Sequence, residues 1–137
     1  MREYLFCGKR KYDGEWVEGC LIHQNDYYLI LQDESKLHPI DVPYIDRFGC
    51  IDGHADPVIP ESVGQYTGMN DKHDRKIFEG NIVKLTLIDC VETGVIKFND
   101  ALCRFEFYDK SGGYGFDNTC EFEVIGNVFE NADLLEG

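Results

Sequence analysis

No stretch of this sequence approaches the ~20 consecutive apolar residues that a membrane-spanning helix requires. The N-terminal apolar patch around Leu5 and Phe6 is too short for a secretory signal, and Lys9, Arg10 and Lys11 follow it. Proline is scarce: all four, at 39, 43, 57 and 60, fall in one segment, which marks a connector between two halves. Basic residues are also in short supply, 13 against 26 acidic ones, for a net charge of −13. Phosphate recognition relies on clustered Lys and Arg, so direct nucleic-acid binding is not expected. The sequence contains no Gly-x-Ser-x-Gly, and Ser35, Ser62 and Ser111 have no nucleophile motif around them. The run Ser111-Gly112-Gly113-Tyr114-Gly115 lacks the Gly-Lys-Ser/Thr ending of a phosphate loop and reads as a flexible hairpin tip.

Six cysteines are present, at 7, 20, 50, 90, 103 and 120, but no Cys-x-x-Cys pair is among them. Without an export signal they read as reduced thiols. Cys7, Cys20, Cys90 and Cys103 lie in apolar or strand-like surroundings, where cysteine acts as a small hydrophobe. Cys20 and His23, with Cys50 and His54, are residue types that zinc accepts. Cys50 and His54 flank the Gly53 turn and could converge, but strand geometry sends Cys20 and His23, three apart, to opposite faces, so no metal is expected. Asp52, Asp56, Asp71 and Asp74 lack the spacing of a calcium loop and read as turn formers. His38 and His73 read as exposed loop residues. No cofactor is expected.

What is present points to β structure. Glycine occurs 14 times, aromatics make up 13% of the chain, and no long 3.6-residue stripe is visible. Asp13-Gly14 is a hairpin signal, and a second hairpin is expected between the run from Trp16 to Ile22 and that from Tyr27 to Leu31. Ile82 to Ile88 pairs with Val91 to Asn99. Next, Cys103, Phe105 and Phe107 alternate with Arg104, Glu106 and Tyr108, which places the first three on the core and Glu106 outward. Residues 119 to 128 form a further strand, and residues 131 to 136 a short helix with Asn131 as its N-cap. The fold class is therefore all-β: a hairpin region over 1–58, then a small β-barrel over 59–137, closed by the strand 121–129.

Three blocks carry a family resemblance. They are Phe6-Cys7-Gly8-Lys9-Arg10 with Gly14-Glu15-Trp16-Val17-Glu18-Gly19; Val58-Ile59-Pro60-Glu61-Ser62-Val63-Gly64-Gln65-Tyr66-Thr67-Gly68 with Asp71-Lys72 and Ile77-Phe78-Glu79-Gly80-Asn81-Ile82-Val83; and Glu121 to Asn131, ending in Leu134-Leu135-Glu136. Together they resemble the YopX family of small proteins encoded by bacteriophages and prophages, with Cys7 in place of the usual Arg and Asn81 in place of the usual Asp. The resemblance implies an N-terminal β region that takes part in subunit contacts and a C-terminal small barrel. It carries no activity, cofactor or catalytic residue. Gly14, Gly64, Gly68, Gly80 and Gly126 suit turns or bulges, so the shared wording is consistent with a fold signature.

The expected function is non-enzymatic: a cytoplasmic phage or prophage accessory protein that binds a host or phage protein and self-associates through exposed strand edges. Two alternatives stand beside it. One is a small enzyme whose site is assembled in an oligomer. The other is an acidic mimic of nucleic acid, since the chain from Glu106 onward holds eight acids and only Lys110 as a base. The candidate contact residues are Glu106, Asp109, Asp117, Glu121, Glu123, Glu130, Asp133 and Glu136, joined by Tyr114 and Phe116 on the glycine-rich tip. On the mimic reading Glu106, Glu121 and Glu123 form an outward row of carboxylates. The plainer reading of the charge is solubility.

Overall fold

A computed structural model describes residues 3–32, 44–45, 51–52 and 55–136. Among these the protein is all-β, with no helix of seven residues or more. The chain forms two compact units that part within one strand, the first Glu3–Gln65 and the second from Tyr66 onward.

The first unit is built from hairpins. β1 (Phe6–Lys9) pairs antiparallel with β2 (Trp16–Gln24), and β2 pairs with β3 (Tyr27–Gln32). Both turns are where glycine and asparagine call for them: Gly14 has φ 74° and Asn25 φ 56°. β3 also pairs with β6 (Ala55–Pro57), and β1 pairs with the first residues of β7 (Gly64–Asn70). The short pair β4 (Tyr44–Ile45) and β5 (Ile51–Asp52) lies between. Alternation along β2 and β3 drives Val17 and Ile30 into a core with Val58. Pro60 opens a 3₁₀ turn (Pro60–Ser62); the buried Ser62 hydroxyl accepts the Lys9 N–H at 2.8 Å and donates to the Ile59 carbonyl.

In the second unit the rest of β7 pairs with β8 (Lys76–Phe78). The main sheet has the order β12-β11-β10-β9-β13, from β9 (Asn81–Thr86), β10 (Val91–Asn99), β11 (Arg104–Asp109), β12 (Gly112–Tyr114) and β13 (Glu121–Asn127). Its core is Ile77, Val83, Ile96, Phe107 and Phe122. Burying each phenylalanine contributes roughly 2–3 kcal/mol of apolar transfer energy.

The sheet is open, and this corrects the expected barrel. Its ends, β12 and β13, do not pair with each other. β12 has only three residues, and the turn between β7 and β8 occupies the outer edge of β13. There Lys72 N donates to Phe122 O, and Asp71 Oδ2 accepts from Val124 N at 3.0 Å. Two further expectations change. The glycine-rich tip is strand β12, paired to β11 through Phe107↔Tyr114, Tyr108↔Gly113 and Asp109↔Gly112. The terminal helix is a four-residue 3₁₀ turn (Ala132–Leu135) whose Asn131 side chain caps nothing in it and instead accepts from Asn127 N.

Candidate functional site

Register decides which side chains of the second unit meet. The pairs Ile96↔Phe107, Phe98↔Phe105 and Phe107↔Tyr114 put one parity of β10, β11 and β12 on the core face. Glu92 belongs to that same parity, opposite Leu85 of β9. Over this face runs the segment Gly115–Cys120, with the Phe116 ring edge-on to Phe122 at 5.2 Å. Two depressions share Gly115, Phe116 and Cys120. The larger, about 570 Å³, has Phe98, Phe105 and Met69 in its lining, with Arg104 and Asp117. The smaller, about 360 Å³, combines Leu85, Leu87 and Phe107 with Glu92, Asp109 and the hydroxyls of Ser111 and Tyr114.

On the opposite face of the same sheet, Glu106 gathers a polar cluster around β11. That carboxylate was expected to face solvent; it does lie on the outer parity, opposite Lys97, but only 2% of the residue is exposed. Arg104 closes on Oε2 through Nε at 2.8 Å and Nη2 at 2.7 Å, while Asn99 Nδ2 at 2.8 Å and Tyr108 Oη at 3.0 Å donate to Oε1. These bonds, from Asn99 and Arg104 first, outweigh desolvation and hold the Glu106 carboxyl below the usual range. The same bond pushes the Tyr108 phenol up. Gly113 and Gly115 make the cover possible. A Cβ on Gly113 would stand 2.7 Å from the Tyr108 ring, and one on Gly115 would stand 3.2 Å from the Arg104 guanidinium carbon.

The other candidate residues scatter. Asp109 is half-buried; its Oδ1 accepts from Ser111 N at 2.8 Å and Ser111 Oγ at 2.7 Å, which keeps it readily ionised. Ser111 Oγ in turn meets Tyr114 Oη at 2.7 Å, and Tyr114 is 48% exposed. Asp117 caps the Thr119 turn, which lowers its pKa. Glu121 is exposed, whereas Glu123 pairs with Lys72 at 3.1 Å and faces Lys84 across the strands, with its pKa lowered first by Lys72. Glu130, Asp133 and Glu136 are exposed around the terminal turn. With Glu106 covered and Glu123 neutralised, the expected carboxylate row is broken.

Cys103 is also corrected. It is exposed at φ 53°, in the turn that Asn99 Oδ1 organises by accepting from Ala101 N and Leu102 N. Cys20 and Cys90 are exposed as well, while Cys7 and Cys120 are half-buried; all five described cysteines are free thiols. Although the residue is exposed, local desolvation of the thiol, then the neighbouring Asp89 and Glu92 carboxylates, push the Cys90 thiol up. His23 stacks on Tyr28 at 3.9 Å, and Cys50 and His54 of the weighed zinc set lie outside the described residues. Among the described residues no three His, Cys, Asp or Glu side chains gather as metal ligands.

Sequence reasoning missed Glu92, Leu87 and Phe98. The signal was available: positions 92, 94, 96 and 98 read Glu, Gly, Ile, Phe, an acid in line with an apolar stripe.

A family model described as YopX protein matches residues 9–136. The chain belongs to the YopX family. No curated protein shows significant similarity to it. Many of the residues that carried the resemblance hold turns in this YopX protein. Arg10 grips Asp13 through Nε at 2.9 Å and lies 4.8 Å from the Tyr12 ring centroid. Asn81 Oδ1 accepts from Phe78 N at 2.7 Å across the Gly80 turn, where φ is 91°. An aspartate at position 81 would accept the same bond. No helix among the described residues is long and apolar enough to cross a membrane.

Proposed function

We propose that this YopX protein is a phage or prophage accessory protein that acts by binding another macromolecule, with the two depressions beside Phe116 as its contact surface. The observation that carries this reading is an aromatic-lined open groove on a strongly acidic chain. Phe98 stays 39% exposed in the larger depression, and at the other end of β10, where Leu87 lines the smaller one, Ile88 is fully exposed, Leu87 44% and Val91 56%. Grouped exposed apolar residues near a concavity favour a partner's surface over solvent.

The test is a purified partner, identified by affinity capture, titrated against the wild type and Phe98→Ser by calorimetry. Phe98 meets Phe105 edge-on at 5.1 Å and is itself 39% exposed, so the change leaves the buried core in place. Affinity should fall by about tenfold or more, the effect of losing one aromatic anchor. An unchanged affinity refutes this surface.

A further inference from the structure

The smaller depression has a chemistry of its own. Its walls, Leu85, Leu87 and Phe107, are apolar, while Glu92 and Asp109 bring two carboxylates to the same space with the linked hydroxyls of Ser111 and Tyr114. Asp109 is fixed by Ser111 through a single oxygen and stays charged at neutral pH. Gly94 lets the Phe107 ring lie close to β10: a Cβ there would stand 2.7 Å from it. A depression that combines an apolar lining with anionic and hydroxyl acceptors suits a group with a long alkyl stem and a cationic head. A long basic side chain has that form, burying its methylenes while its nitrogen donates to oxygen. Apolar or acidic side chains would leave the two carboxylates desolvated without compensation, and a neutral amide or hydroxyl would supply no opposite charge.

We infer that this depression, lined by Leu85, Leu87, Glu92, Phe107, Asp109 and Tyr114, receives a lysine or arginine side chain of a partner protein. The inference rests on the binding reading above and adds the partner's chemistry. Charge complementarity supports the occupant: the chain carries −13 overall and would steer a basic segment toward itself.

The experiment uses the full-length, nitrogen-labelled protein and blocked pentapeptides of glycine with lysine, arginine, norleucine or glutamate at the centre. Amide shifts of Glu92, Asp109, Ser111 and Tyr114 are followed by NMR. The lysine and arginine peptides should shift these amides saturably, with dissociation constants on the order of millimolar, as expected for one side chain. Norleucine, which keeps the stem without the charge, should bind about tenfold more weakly, as should the lysine peptide to Glu92→Gln. Glu92→Gln keeps the shape of the side chain, and its own spectrum reports folding. Tyr114→Phe, which removes only a hydroxyl, is a second variant, expected to weaken lysine binding by a few-fold. Equal binding of norleucine and lysine, or no shift with either cation, overturns the inference. If the cationic peptides leave these amides silent while the partner's affinity still depends on Phe98, the inference falls and the binding reading stands. If the cations bind here while Phe98→Ser changes nothing, the inference stands without that reading.

Discussion

Replacing Asp71 should loosen the second unit at the edge of its sheet, and the bonds around its carboxylate set the size of the effect. The side chain is fully buried. Oδ1 accepts the His73 and Arg75 backbone N–H groups at 2.9 Å each, and Oδ2 accepts Val124 N at 3.0 Å and pairs with Arg75 Nε at 3.3 Å. Arg75 Nη2 donates to the Val124 carbonyl at 2.9 Å, so the two side chains together clamp both polar groups of one residue, at the point where the β13 register slips. Burial alone would raise the Asp71 pKa, but the N–H donors of Val124, Arg75 and His73 outweigh it and the net shift is downward.

Asp71→Ala orphans three donors. Each is worth roughly 1–3 kcal/mol when left unpaired in a buried site. Residues 72–75 are exposed, so water can take up much of what the His73 and Arg75 amides lose, whereas Val124 is half-buried. The net cost should be about 3 kcal/mol for Ala. Asp71→Asn retains one acceptor oxygen and turns an amide NH₂ toward a donor, so it should cost about 1–2 kcal/mol. For a chain of this size the Ala change lowers Tm by about 10 °C. The depressed pKa fixes the sign of the pH dependence. The stabilisation is complete above the unfolded-state value near pH 4 and is lost as pH falls through the lower folded-state value. The gap between the wild type and Asp71→Asn should therefore narrow on acidification below about pH 4. Thermal and urea melts at several pH values, with hydrogen exchange at Val124, read all of this. Melts of both variants within about 1 °C of the wild type would refute the reasoning.

Gly94→Ala should destabilise the second unit by about 2 kcal/mol or more in urea melts, because the new Cβ would stand 2.3 Å from the Tyr108 carbonyl oxygen. Gly19→Ala should be at least as damaging to the first unit, since its Cβ would meet the Leu31 carbonyl oxygen at 2.0 Å; wild-type-like expression and melting would count against this packing. Glu106→Gln should lose stability at neutral pH but not in strong acid. The depressed Glu106 carboxyl contributes above its unfolded-state pKa and stops contributing as pH falls through the folded-state value, so parallel wild-type and variant pH profiles would contradict the Arg104–Glu106 ion pair. Cys90, pushed up by local desolvation and by Asp89 and Glu92, should be alkylated more slowly at pH ~8 than an unstructured peptide cysteine, as peptide mass mapping can measure.

Short-range chemistry determined much of this protein. Asp13-Gly14 and Asn25 place the first two hairpins because only residues tolerant of positive φ make those turns cheaply. The alternation in β11 assigned faces correctly, down to Glu106 on the outer parity, and the shared blocks fixed the family. Alternation read across the turn after Asn99 placed the Cys103 thiol in the core, whereas that turn exposes it. Tertiary structure decided the rest, because exposure and closure depend on residues far apart in the chain. Glu106 is buried because Asn99 and Arg104 reach it and Gly113 lets Tyr108 lie close. The sheet stays open because Asp71, 53 residues away, holds Val124 at the β13 edge. Glu92 becomes part of a depression only when register brings the Phe107 and Tyr114 strands beside it and the Phe116 segment covers the face. Alternation gives the direction of a side chain; only the packed neighbours determine whether water reaches it.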